Sequence, residues 1–210
     1  MKGSIRKTNK KYRVVAIYGS PRIGGNTAIL MDYFLKGVVE NTGYSKNAVI
    51  INCLLVKEKD ISSCRECGNC SKTGECIISD DMQEIYRSLI EADFIAVASP
   101  VFFTSVSGYL KAMIDRCQRF WVLKYEHNKN IIKKTREGIF ISTSGSGQAD
   151  IFNCPIKVIR SFFDVLFVDY LKDFTFNSID KKGEILNNEK AVLALYEFGK
   201  NMDFDNGEGK

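Results

Sequence analysis

One stretch constrains this chain more than any other: residues 14–30, VVAIYGSPRIGGNTAIL. Apolar and β-branched residues from Val14 to Tyr18 read as a buried strand, Gly19 to Gly25 as a tight loop, and the residues from Asn26 onward as the start of a helix. A strand that turns through glycines directly into a helix brings the first-turn amides of that helix to the carboxyl end of the strand, where the positive end of the helix dipole can hold an anion.

The rest of the chain repeats the alternation. Strand patterns fall at 13–18, 48–54, 93–99, 137–143 and 166–176, and helical patterns at 26–40, 81–91, 107–123, about 149–164 and 188–201. Near-continuous apolar strands separated by helices imply a parallel sheet covered on both faces. We expect one α/β domain over residues 1–210: three layers, a doubly wound five-stranded parallel sheet in the order 2-1-3-4-5, and a ligand at the carboxyl ends of strands 1 and 3. A chain of 210 residues with 45% hydrophobic content can bury such a core.

The formal net charge of +5 is local, because Lys2, Arg6, Lys7, Lys10, Lys11 and Arg13 supply six positive charges within the first 13 residues and the remainder is near neutral. A basic arm over 1–12 and an acidic, glycine-containing tail over 203–210 are expected to be flexible. No basic surface for nucleic acid is implied, and no run approaches the ~20 apolar residues of a membrane span. With no cleavage-site pattern after the first apolar run, the expected location is cytoplasmic.

Gly19 to Gly24 has the spacing of a P-loop, but Gly25 and Asn26 stand where a nucleoside-triphosphatase needs Lys followed by Ser or Thr. Pro21 likewise occupies the second glycine position of a dinucleotide fingerprint. A cradle for one phosphate remains. Ser20 and Thr27 offer hydroxyls, Arg22 a fork of donors, and Gly25, Asn26 and Thr27 backbone amides; a plain turn with Asn26 as N-cap is the alternative. Two later loops should reach the same edge: Pro100, Val101, Phe102 and Phe103 after strand 3, with aromatic walls for a flat ring, and the small polar residues of STSGSGQ after strand 4.

Four of the seven cysteines lie in CRECGNCSKTGEC: Cys64, Cys67, Cys70 and Cys76. Three thiols at intervals of three can wrap a cubane cluster, and the glycine-containing segment around Gly74 can return a fourth. Zinc also suits four thiolates, although zinc sites usually come as two separated pairs, and a protein that uses only a flavin would leave the thiols unloaded. Because the run follows strand 2, it is expected at the same carboxyl edge as the other loops. Cys53, Cys117 and Cys154 read as small apolar core residues. His127, the only histidine, lies in a polar linker, which leaves hydrolytic triads without a base. Lys111 and Asp115 suit an i,i+4 surface pair, and Asp115 and Arg116 a subunit interface.

Gly19-Ser20-Pro21-Arg22, Gly25-Asn26-Thr27, the cysteine run with Asp80-Asp81-Met82, ADFIAVASPVFF, and SGYLKAMIDR to Arg116 together resemble the flavodoxin-like NAD(P)H-dependent FMN reductases, and among them the iron-sulfur flavoproteins. The resemblance covers roughly residues 13–175. It implies FMN held at its phosphate by Ser20, Arg22, Asn26 and Thr27, with Pro100, Val101, Phe102 and Phe103 along the ring and ribityl chain. Thr143, Ser144 and Gly145 would meet the far edge of the ring, with a loop amide at Ser144 or Gly145 stabilising the reduced flavin. It also implies a 4Fe-4S cluster on the four cysteines. The implied activity is electron transfer between NAD(P)H or reduced ferredoxin and a small acceptor such as a quinone or flavin, in a homodimer or homotetramer; the alternative is an electron carrier without its own substrate.

Overall fold

The segment Tyr12–Tyr18 alternates its side chains between two apolar environments, so both faces of the first strand are buried. The computed structural model describes residues 11–41, 43, 48–132 and 134–204. In chain order the main elements are β1 (Tyr12–Tyr18), α1 (Asn26–Val39), β2 (Val49–Leu55), α2 (Asn69–Thr73), α3 (Met82–Glu91), β3 (Phe94–Ala98), α4 (Gly108–Arg116), α5 (Gln118–Trp121), β4 (Glu137–Thr143), α6 (Asn153–Val165), β5 (Asp169–Phe176) and α7 (Glu189–Lys200). All five strands are parallel, in the order β2-β1-β3-β4-β5. The expected doubly wound, flavodoxin-like sheet is present.

The pleat sorts the core into two layers. Val15, Ile17, Ile95, Val97 and Phe140 pack under α3, α4, α5 and α6, whereas Val14, Ala16, Phe94, Ala96, Ile139 and Ile141 pack under α1 and α7. Strands buried on both faces therefore need apolar residues at every position, which is how β3 reads as FIAVA. The α1–α7 contact is close enough to need glycine: a Cβ at Gly37 would lie 2.0 Å from Tyr196 O, and one at Gly199 would lie 2.2 Å from Phe34 O.

Three expectations change. The helical pattern at 107–123 is broken at Cys117 into α4, α5 and a π-turn over Val122–Glu126. Strand 5 begins at Asp169, not 166, because Leu166 caps α6 and Phe167 takes a positive φ of 55° to turn the chain. Tyr12 and Phe204, placed by sequence in flexible ends, are both buried and stack with ring centroids 5.0 Å apart. The rest of the expected arm up to residue 10 and of the tail from 205 lies outside the described residues. Cys117 is buried, but Cys53 and Cys154 are exposed: Cys53 sits on the edge strand β2, and Cys154 faces out from the first turn of α6.

Candidate functional site

Loop amides and hydroxyls collect at the carboxyl edge of β1, β3 and β4, and hydrogen bonds between the loops hold them there. Gly19 N–H donates to Ala98 O at 2.7 Å. A side chain at Gly19 would meet Leu110 Cδ2 at 2.9 Å, so the β1–α1 turn needs glycine to approach β3 and α4. Ser107, fully buried, joins three parts: its hydroxyl donates to Gly19 O, its amide donates to Ser99 Oγ at 3.1 Å, and it N-caps α4 by accepting from Leu110 N at 3.2 Å. The β3 loop is fastened to β4 through Val101 N to Thr143 O at 3.0 Å.

In the β1–α1 loop, Ser20 Oγ accepts from Arg22 N at 3.1 Å, Gly24 turns the chain with a φ of 60°, and Gly25 is the N-cap of α1 without a side-chain cap. Asn26 is thus the first helical residue, not the N-cap. Its carboxamide is committed elsewhere, donating to Lys181 O at 3.0 Å and accepting from Ile185 N at 3.3 Å, so only its backbone amide faces the loop. Thr27 is 2% exposed and stands in the first turn of α1. It lines a cleft of about 300 Å³ together with Tyr18, Ser20, Arg22, Gly24, Asp32 and Cys53. A hydroxyl lining the cleft, beside first-turn amides that the helix itself leaves unmatched, suits one phosphate.

The segment after β5, absent from the sequence reading, closes over this loop. Arg22 Nη1 donates to Asp180 O at 3.3 Å, and Lys182 Nζ would lie 3.9 Å from a Cβ at Gly24, which adds an ammonium to the cradle. Its only local signal is the basic pair Lys181-Lys182 before Gly183.

At β3, Phe102 and Ser105 exchange backbone bonds at 2.9 and 3.0 Å around a two-residue turn in which Phe103 and Thr104 both have positive φ, 45° and 60°. This presents Phe102 half-exposed and Phe103 fully exposed, at 102%. Pro100 and Val101 lie partly buried behind them. At β4, Thr143 and Ser144 are buried. The Ser144 amide is spent on Phe176 O at 3.0 Å and its hydroxyl accepts from Ser146 N at 3.1 Å, so of the two expected loop donors only the exposed Gly145 has an amide outside this network.

The cysteine loop departs from expectation. It leaves β2 at the common edge, then packs along the far end of α4 and onto α5 and the π-turn instead of staying beside the β1 loop. Cys64 lies beside Ile114, Asp115 and Gln118, Gly74 meets Leu123, and His127 Nε2 donates to Ser71 O at 2.8 Å. Nine residues of α4 separate Ser107 from the cysteine loop, about 13 Å at 1.5 Å per residue. The loop is sharply folded: Glu66, Gly68 and Gly74 take positive φ of 50°, 70° and 78°. These turns bring Cys64 and Cys76 near Cys70. Burial first, then the neighbouring Cys64 and Cys76, push the Cys70 thiol up against the pull of its own and the Ser71 amides. Cys64 and Cys67 are exposed.

Among the described residues no three His, Cys, Asp or Glu side chains converge as a single-ion site. In a 4Fe-4S cluster each thiolate binds a different iron, so the sulfurs need not meet at one point. Amides aimed at Cys70 and two buried, unpartnered Nε–H groups on Arg116 and Arg119 beside the Cys76 arm are the surroundings that sulfur acceptors would satisfy, and the residues fit such a cluster. Arg116, expected at an interface, is 1% exposed within its own chain. Lys111 and Asp115 form the expected surface pair at 2.7 Å. No helix among the described residues is long and apolar enough to cross a membrane.

Known proteins resemble this chain in sequence and in fold. Iron-sulfur flavoproteins match at 35% identity over 138 residues in Archaeoglobus fulgidus (66% of this chain, 57% of the relative), at 32% over 134 residues in Methanosarcina thermophila (64% of each), and at 36% over 154 residues in Methanocaldococcus jannaschii (72% and 70%). The chain thus spans a little over half the length of the first of these relatives. Two solved structures share the fold: an FMN-dependent NADH-azoreductase from Bacillus anthracis in complex with FMN (TM-score 0.65, 14% identity, 90% and 97% covered) and an NAD(P)H:quinone oxidoreductase from Methanothermobacter marburgensis (0.64, 15%, 91% and 96%). Residues 12–153, which carry the β1–α1 loop, the cysteine loop and the β3 and β4 edges, match the family described as NADPH-dependent FMN reductase, and the chain belongs to that family, in its iron-sulfur flavoprotein branch.

Proposed function

We propose that this chain is an FMN-dependent oxidoreductase that passes electrons between NAD(P)H or reduced ferredoxin and a small acceptor such as a quinone or free flavin, using a 4Fe-4S cluster on Cys64, Cys67, Cys70 and Cys76. The observation that carries the reading is the cleft lined by Ser20, Arg22 and Thr27 at the first turn of α1, on the edge where Ser107 ties the β1 and β3 loops together.

FMN takes up two electrons together and releases them singly, whereas a 4Fe-4S cluster passes one at a time. The protein's part is positional. Ser20, Arg22 and Thr27, with the amides of Asn26 and Thr27, hold the phosphate, and Lys182 adds charge above it. Pro100, Val101 and Phe102 form the wall for the ring and ribityl chain, Phe103 covers it, and the Gly145 amide donates at the ring edge. Thr143 and Ser144 act by fixing that loop against Val101 and Phe176. The separation along α4 supports electron exchange over about one helix length within a chain, or across to a neighbouring copy. The exposed Phe103, Tyr109 and Trp121 support a homodimer or homotetramer. A cytoplasmic location accords with four thiols left unpaired as disulfides.

The test is the absorption spectrum of protein purified without oxygen, with FMN, iron and acid-labile sulfide assayed on the same sample. One FMN and about four irons per chain are expected. Colourless protein would overturn the reading. Steady NAD(P)H oxidation with a quinone is expected of the enzyme, whereas reduction by ferredoxin alone would make the chain an electron carrier.

A further inference from the structure

A single side chain closes the base of the cysteine loop. Arg116, the last residue of α4, donates from Nη1 to Ser62 O at 2.8 Å and to Asp80 Oδ2 at 2.5 Å, and from Nη2 to Ile78 O at 3.3 Å and Asp80 Oδ1 at 3.1 Å. Ser62 precedes Cys64 by two residues and Ile78 follows Cys76 by two, so one planar fork sets the distance between the two arms that carry the outer thiols. Asp80 closes the same base from within the loop, its Oδ2 accepting from Ser62 N at 3.0 Å and its Oδ1 from Met82 N at 3.1 Å. The side chains of the pair are 0% and 3% exposed.

Closure alone does not account for two features. Arg116 Nε is buried without a partner although its other donors are matched, and Arg119 Nε is in the same state. An unmade bond of this kind is destabilising, and native structures rarely leave a buried donor without a group to receive it. Both guanidinium groups also lie beside the Cys76 arm. Arg119 Nη2 donates to Glu75 at 2.6 Å, and the Cys76 thiol lies close enough to Tyr86 and Arg116 to act on both electrostatically. Tyr86 in turn donates to Arg116 O at 2.8 Å, which fixes the end of α4 against the loop.

We infer that Arg116 is the positioning residue of the cysteine centre: it holds the Cys64 and Cys76 arms at the separation a cluster requires and offers its remaining Nε–H and its buried positive charge to the sulfur side. The inference rests on the reading that the four cysteines hold an iron-sulfur cluster. A buried cation and a hydrogen-bond donor favour the more negative, reduced state, so Arg116 raises the reduction potential. Lysine cannot replace it, because a point ammonium cannot span Ser62 O, Ile78 O and both Asp80 oxygens.

The experiment compares wild type, Arg116→Lys and Arg116→Gln, each purified without oxygen. Iron, zinc and sulfide are measured per chain, thermal unfolding is followed, and the cluster is titrated with reductant under spin-resonance detection. Arg116→Gln is expected to lose at least half of its iron, and the cluster that remains to be about tenfold harder to reduce, about 59 mV for a one-electron step. Arg116→Lys is expected to fall between the two, and it carries the comparison should Arg116→Gln fail to fold. Unchanged iron and potential in both variants would overturn the inference. Iron loss in step with thermal stability, at an unmoved potential, would also overturn it, by reducing Arg116 to a structural role. A wild type with zinc or no metal would overturn the cluster reading itself, and this inference with it.

Discussion

The Ser107 hydroxyl donates to the Gly19 carbonyl across 88 residues of sequence, which locks the start of α4 to the turn that follows β1. Both groups are buried, and the same oxygen also caps α4. Ser107→Ala leaves Gly19 O and Leu110 N unmatched and is expected to lower stability by about 1–3 kcal/mol. Because the two loops then move independently, FMN affinity should fall as well. Denaturant unfolding of the apoprotein and fluorescence titration with FMN measure the two effects separately; a variant with wild-type values in both would refute the coupling.

Thr27 and Asn26 should part company on substitution. Thr27→Val keeps the shape of the side chain, so stability should hold while FMN affinity drops by about 1.4 kcal/mol, or tenfold, for the hydrogen bond to the phosphate that is lost. Asn26→Ala instead cuts the ties to Lys181 O and Ile185 N and should destabilise the apoprotein first. Full FMN affinity in Thr27→Val would remove Thr27 from the phosphate site.

Phe103 is fully exposed on a strained backbone, with φ at 45°. Phe103→Gly relieves that strain and should leave the apoprotein as stable or raise it by about 0.5–1 kcal/mol. If the ring covers the flavin, the same variant should bind FMN less tightly and quench its fluorescence less. Tighter or equal binding would place Phe103 outside the flavin site.

The Asp80 carboxyl is pushed up by burial, but the Arg116 hydrogen bond and the amides of Ser62 and Met82 outweigh that and hold it below the usual carboxylate range. A group whose folded pKa lies below its unfolded value of about 3.9 contributes stability that is present above that pH and is lost as pH falls through the folded value. Wild type should therefore weaken on acidification below about pH 4. Asp80→Asn should lose about 3–5 kcal/mol at neutral pH by stranding Arg116, and should show a shallower acid decline. Denaturant midpoints from pH 7 to pH 3 decide it, and parallel curves would exclude the ion pair as the source.

Gly37→Ala drives a methyl toward Tyr196 O, 2.0 Å away, and forces α1 from α7. A loss of about 1–3 kcal/mol is expected, which at this chain length lowers Tm by at least about 2 °C. Gly108→Ala, with nothing within 4 Å, is the control and should be neutral or stabilising. Equal melting of the two variants would contradict the close helix contact.

How much of this was legible beforehand depends on the range of the interaction. Strand periodicity, the glycine turn after β1, the Ser99-Pro100 break and the cysteine spacing are local properties of the chain. Burial on both faces requires apolar residues at successive strand positions, so element order, strand order and the three loops at one edge could be read from residues 12–176. Pairings between distant segments carry no local signal. Asn26 looks like a phosphate ligand until the turn at 181–185 takes its carboxamide, and Ser144 looks like a free amide donor until Phe176 O accepts from it. Cys53 reads as core from its apolar strand, although the order 2-1-3-4-5 already puts that strand at an edge, where its thiol is exposed. Arg116 has the composition of a surface residue; only packing reveals a buried fork closing the cysteine loop, because a charge is stable in the interior only when the fold delivers Asp80, Ser62 and Ile78 to it together. Local motifs thus carry the family likeness, whereas the atoms left free at the site depend on distant segments that only packing brings together.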